Sequence, residues 1–173
     1  EEGGELTLQR AAVGNHLLVG GDNMDLALAH FVAQLFEGKG LTLDPWQSVS
    51  LWHSCRNAKE SLLSESGPEA HTISVPGRSS RLIGGLVSIH VERAQATDLL
   101  LNGFFPAALL SDRPARSRAS GFREIGLPYE ADTGITRHLA AFLKQSLADS
   151  HLTHMLFNGG VFKASALRSR LLH

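Results

Sequence analysis

Met155-Leu156-Phe157-Asn158-Gly159-Gly160-Val161-Phe162-Lys163, followed by Ala164 to His173, is the stretch that decides the fold. An apolar run breaks at a Gly-Gly pair and passes, after a basic residue, into a segment with Leu167, Leu171 and Leu172 at helical spacing. This pattern predicts a strand, a tight turn and a helix. Glycines in such a turn let a ligand approach the backbone closely. Its N–H groups, backed by the positive end of a helix, suit a phosphate or a nucleotide sugar. The stretch is not a Gly-x-x-x-x-Gly-Lys-Ser/Thr loop, because Lys163 follows the second glycine after two residues and no hydroxyl follows the lysine. Glycines that only make a tight strand-to-helix turn would leave the same trace, so the decision needs the rest of the chain.

Two further segments supply it. Leu18-Val19-Gly20-Gly21-Asp22-Asn23-Met24-Asp25 again ends a turn with paired glycines and opens a helix, here with acidic residues in the first turn. Between the two glycine pairs, Cys55-Arg56-Asn57-Ala58-Lys59-Glu60-Ser61-Leu62 sits on a predicted helix.

A Gly-Gly-Asp helix start, a Cys-x-x-Ala-Lys helix and a final strand-Gly-Gly-helix, in this order, resemble the ATPase domain of the DnaK-like heat-shock chaperones, the seventy-kilodalton class, in a divergent bacterial branch. The resemblance covers nearly the whole chain. It implies an actin-like ATPase, whose two lobes close on ATP. The upstream phosphate-gripping loops of the family, of the Asp-x-Gly-x-x type, have no counterpart here: the nearest match, Asp132-Thr133-Gly134, precedes a helix. The expected fold class is therefore α/β with α+β mixing: an actin-like ATPase lobe fragment, a small sheet with packed helices plus strand-Gly-Gly-helix elements. Residues 1–173 would be a second-lobe fragment, with about 22–130 forming the outer subdomain and an insert, and 1–21 and 131–173 part of the inner subdomain.

The same resemblance assigns ligand contacts. Gly20, Gly21 and Asp22 match the glycine-glycine-acid turn near the phosphates. Gly159, Gly160 and Val161 match the turn that packs on the adenosine, and Lys163 stands where the family usually has an arginine beside the base. On the middle helix the family pattern is Glu-x-x-Lys-Arg-x-x-Ser, with the lysine and arginine reaching the ribose and adenine. The matching positions here are Arg56, Lys59, Glu60 and Leu63, so only Lys59 is kept. Reversing two charges and replacing a hydroxyl with leucine removes specific hydrogen bonds. Arg56 and Glu60, four apart on a helix, are placed to pair with each other.

What the resemblance implies is part of the ATP-binding domain of a molecular chaperone. ATP or ADP would be the cofactor, with magnesium in the full-length parent. Co-chaperones or exchange factors and client proteins would be partners of that parent. The fragment itself would supply adenosine contacts without hydrolysing ATP, because the groups that position metal and γ-phosphate are not in it. Two alternatives stay open: a non-catalytic chaperone-like protein-interaction module, and a fragment of an actin-like-superfamily sugar or glycerol kinase.

Composition sets outer bounds. The 173 residues fit one domain, 43% are hydrophobic and 19% charged, and 16 Lys+Arg against 17 Asp+Glu leave the net charge near zero. Nothing in that balance argues for nucleic acid or a membrane. Cys55 is the single cysteine, so an internal disulfide is impossible and a reducing, cytoplasmic setting is expected. No apolar run reaches the roughly 18 residues of a membrane span. The start, Glu1-Glu2-Gly3-Gly4, fits a piece of a longer chain better than a natural beginning.

In chain order, Leu6 and Leu8 alternate with Thr7 and Gln9, predicting a strand over 5–12. A helix capped by Asp22 or Asn23 carries Met24, Leu28, Phe31, Val32 and Leu35 and stops at Gly38. Asp44-Pro45 starts a second helix, since proline at the first helical position sacrifices no hydrogen bond. Its apolar face is expected to run through Trp46, Val49, Trp52, Cys55, Leu62 and Leu63 to a stop at Ser66-Gly67-Pro68. Two strands follow, 71–75 and 82–91, the second with a bulge at Gly84-Gly85. A helix over 92–102 comes next, then an arginine-rich loop over 111–129. The last predicted elements are a helix capped by Asp132 or Thr133, bearing Ile135, Leu139, Phe142, Leu143 and Leu147, and the strand 153–157.

Nine histidines raise the question of metal. His151 and His154, with His138 on the preceding helix, have no Cys or acidic residue to complete a ligand set. Cys55 lies on an apolar face, where a buried, inert thiol is expected.

Overall fold

In a computed structural model, residues 9–77, 85–115, 131–146 and 152–172 are described. They form a mixed structure of helices around one antiparallel strand pair. The order is α1 (Gly21–Gly38), α2 (Pro45–Leu62), β1 (Ala70–Pro76), β2 (Leu86–Glu92), α3 (Arg93–Phe104), α4 (Ile135–Ser146), a 3-10 turn (Gly160–Lys163) and α5 (Ser165–Leu172).

Local chemistry explains the starts of the first two helices. At α2, Asp44 accepts a hydrogen bond from Gln47 N at 2.8 Å, the Gln47 side chain returns one from Asp44 N at 3.0 Å, and Pro45 opens the first turn. At α1 the cap is Gly20, two residues before Asp22, the earlier of the two expected caps: Asn23 Oδ1 accepts from Gly20 N at 2.8 Å. That helix ends at Gly38, followed by Gly40 at φ 78°, where a side chain would be strained.

β1 and β2 pair from Ala70 opposite Glu92 to Pro76 opposite Leu86. Ile73, Val75, Ile89 and Val91 turn inward, while the other face carries the cross-strand pairs Thr72–His90 and Ser74–Ser88. The buried side of the hairpin packs with α1 and α2 in one cluster that includes Leu28, Val32, Phe36, Leu51, Cys55 and Leu62. A second cluster joins Met24, Leu100, Phe104, Phe105, Ala164 and Leu167. Both α1 and α3 contribute to each cluster, Met24 and Leu100 standing one turn away from Leu28 and Ala96 of the first.

Several expectations are corrected. The α2 stripe that is buried is Leu51, Cys55, Ala58 and Leu62; Trp46 and Val49 face outward, and the helix ends at Leu62, before Ser66. Residues 152–158 form no strand. Leu156 is 95% exposed, and among the described residues no strand pairs with this segment, so the strand-Gly-Gly-helix becomes an irregular segment, a 3-10 turn and α5. Residues 9–12 are likewise irregular. The remainder of the first expected strand, the start of the expected strand 82–91 with Gly84, Arg116, Arg118, Arg123, Leu147 and His151 lie outside the described residues. Among the described residues no helix is long and apolar enough to cross a membrane.

Candidate functional site

A cleft of about 490 Å³ opens between the start of α1, the C-terminal half of α2 and the final 3-10 turn with α5. Six of the eight residues singled out from the sequence line it: Gly21, Asp22, Lys59, Gly160, Val161 and Lys163. Gly20 and Gly159 are the residues immediately before the two glycine linings. The three segments, distant in sequence, meet at Gly21. A Cβ placed there would lie 3.5 Å from Lys59 Nζ and 3.7 Å from Val161 Cγ2, in ordinary contact with both neighbours.

Gly159 has a different task. Its φ of 96° is open to glycine and strained for other residues, and it turns the chain into the 3-10 turn. Arg168 then secures that turn by donating to the carbonyls of Phe162 and, at 3.1 Å, Lys163. Phe162 packs edge-on to Phe105 at 6.2 Å between ring centroids, fixing the turn on the second apolar cluster.

Charge in the cleft is organised by Asp25, which no feature of a glycine turn would single out. Its carboxylate is 1% exposed and takes two cations from α2: Arg56 Nε at 2.9 Å from Oδ2, and Lys59 Nζ at 2.5 Å from Oδ1. The contact with Lys59 is an ion pair off the hydrogen-bonding line, so Oδ1 has no aligned donor. Lys59 also donates to Gly21 O at 3.1 Å. Arg56 extends beyond Asp25 to Asp22 Oδ1 at 2.5 Å and lies 6.0 Å from the centroid of the Trp52 ring. The hydrogen bond that Arg56 donates to Asp25, then the charges of Asp25 and Asp22, hold the Arg56 guanidinium even more firmly in its charged form than usual.

The expected partnership of Arg56 with Glu60 is therefore replaced. Arg56 turns to α1 because the buried Asp25 carboxylate is less screened than the exposed one of Glu60. A sequence signal for this existed: Asp22 and Asp25 are three apart on one helix, and Arg56 and Lys59 are three apart on the next, so matching faces carry matching charges.

Glu60 and Lys163 also line the cleft, with no ion pair among the described residues. Met24, Leu63, Val161, Ala164 and Leu167 supply an apolar wall. The site thus pairs that wall, suited to a flat ring, with one free carboxylate and one free ammonium. Among the described residues no group of three or more His, Cys, Asp or Glu is placed to hold a metal ion. No protein-family model and no curated protein matches this chain.

Proposed function

We propose that the chain is part of the nucleotide-binding lobe of a DnaK-like, actin-like ATPase, and that its cleft receives the adenosine end of ATP or ADP. The observation that carries this reading is the meeting of the Gly20-Gly21 helix start, Lys59 and the Gly159-Gly160-Val161 turn around one cleft. Those are the segments from which the family resemblance was drawn. Nothing in chain connectivity requires them to be neighbours.

The chemistry favours a nucleoside over its phosphates. The lining cations Arg56, Lys59 and Lys163 are balanced by Asp22, Asp25 and Glu60, so the cleft offers no concentrated positive field. A purine has an apolar wall to rest on, and ribose hydroxyls and ring nitrogens can exchange hydrogen bonds with Glu60, Lys163 and the remaining Lys59 N–H. Magnesium and the γ-phosphate would be held by parts of the parent other than this cleft, and this piece alone is assigned no hydrolysis.

Calorimetric titration with adenosine, ADP and ATP, each with and without magnesium, tests the proposal. Binding of all three with similar affinity, little changed by phosphates or metal, is the expected result. Tight, metal-dependent ATP binding or turnover would overturn the account of an adenosine half-site. A folded chain that ignores all three at millimolar concentration would favour a protein-interaction module instead. The diversion of Arg56 into the α1 contacts is the observation on that side, since it commits two of its nitrogens to protein carboxylates.

A further inference from the structure

Asp25 is a carboxylate buried beside the cleft, aligned with no hydrogen-bond donor at Oδ1, and joined to both basic residues that α2 offers. Such a group is costly to bury unless its partners are held in return. We infer that Asp25 is the positioning residue of this cleft. It fixes the Lys59 ammonium at one point of the wall and draws Arg56 away from the ligand, an inference that rests on the nucleotide reading for its functional meaning.

The geometry is specific about what remains available. An ammonium has three N–H donors. Asp25 Oδ1 draws Lys59 Nζ from one side, and Gly21 O takes a hydrogen bond from it at 3.1 Å. The bond to Gly21 O uses one of the three donors, and the ammonium lines the cleft with the others. A flexible lysine chain becomes a fixed cation, and the entropy of fixing it is met by the protein before a ligand arrives. Arg56 is held by Asp25 and Asp22 together and rests near Trp52, with its Nε and one Nη donating to α1. Lys59 is therefore the α2 cation assigned to the ligand, with Arg56 lining the same cleft but spending Nε and one Nη on the α1 carboxylates. Other uses of the cluster fit less well: the neighbouring thiol, Cys55, is fully buried and has no access to a reactant.

The experiment compares the unchanged chain with Asp25→Asn, Arg56→Gln and Lys59→Met, using two readouts. The first is the nitrogen-15 signal of the Lys59 ammonium, assigned through its absence in Lys59→Met. A signal protected from proton exchange in the unchanged chain and lost in Asp25→Asn is expected. An unprotected signal, or one that survives Asp25→Asn, overturns the inference whether or not adenosine binds. The second readout is adenosine affinity by calorimetry: Asp25→Asn and Lys59→Met should each weaken it about tenfold, their double variant no further than either, and Arg56→Gln less than about twofold. A protected Lys59 in a chain that does not bind adenosine would sink the nucleotide reading and leave the positioning intact. Equal adenosine affinity in Asp25→Asn and the unchanged chain would sink the positioning and leave the nucleotide reading intact. Should Asp25→Asn not fold, Asp25→Glu keeps the charge and displaces it by one methylene, and the same losses are expected.

Discussion

Cys55 shows how far a single environment can move a side chain. Burial, and secondarily the negative charge of Asp25, push its thiol up to about 12. Because the folded value is raised, the contribution to stability is present below the unfolded thiol's value near 9 and is lost as pH rises toward 12. At pH 8 the folded protein should resist iodoacetamide for hours and react within minutes in denaturant; rapid labelling of the native chain would contradict the burial. Sequence alone pointed to an inert thiol, since an apolar helical neighbourhood is visible in the letters. It did not point to Asp25, because whether a carboxylate on one helix is buried depends on which helix lies across it.

Elements repeat that division between local and distant causes. The start of α2 was legible because Asp44, Pro45 and Gln47 carry its whole cap within four positions. The strand expected at 153–157 was not, because a run of apolar residues becomes a strand only beside another, and none of the described strands stands next to it. The start of α4 lies between these cases. Asp132 accepts from Ala115 N and Gly134 N, both at 2.8 Å, and from Arg137 Nε at 2.7 Å, tying an earlier segment to the first turn of the helix. Burial pushes the Asp132 carboxyl up, but the hydrogen bonds from Arg137, Ala115 and Gly134 outweigh it and hold the group well below the usual carboxylate range. With a folded value depressed, its contribution is present above the ordinary value of 3.8 and lost as pH falls below it. Asp132→Ala should cost about 3 kcal/mol at pH 7, the low end for a broken buried pair because Arg137 keeps some access to water. In denaturant titrations the gap from the unchanged chain should narrow as pH drops from about 4 toward 2; a constant gap would assign the loss to packing instead.

At the scale of the whole molecule, stability is unevenly spread. The first apolar cluster fastens α1, α2 and the strand pair through fully buried Leu28, Val32, Phe36, Leu62 and Val75. By contrast α4 buries only Thr136 and Ala140, neither completely, and α5 only Leu167. Amide hydrogen exchange should therefore show α1, α2 and the hairpin opening only with global unfolding, and α4 and α5 exchanging sooner. Equal protection throughout would mean one cooperative unit. The cleft joins both zones, with α1 and α2 on its firm side and the 3-10 turn and α5 on its weaker side. A bound ligand is then expected to slow exchange in α5 more than in α1.

Gln47 carries a consequence for how the chain tolerates change. Its amide is 1% exposed, with Oε1 taking Asp44 N and Nε2 giving a hydrogen bond to Pro76 O at 2.6 Å. One side chain therefore serves as a clasp with two unlike ends, one hooking its own helix and the other the far tip of the hairpin. Exchanging it for glutamate preserves shape and size yet sets oxygen against oxygen at Pro76, with an expected loss of about 1–3 kcal/mol in thermal unfolding. Glutamate and glutamine, near-synonyms on a helix surface, are at this one position opposites.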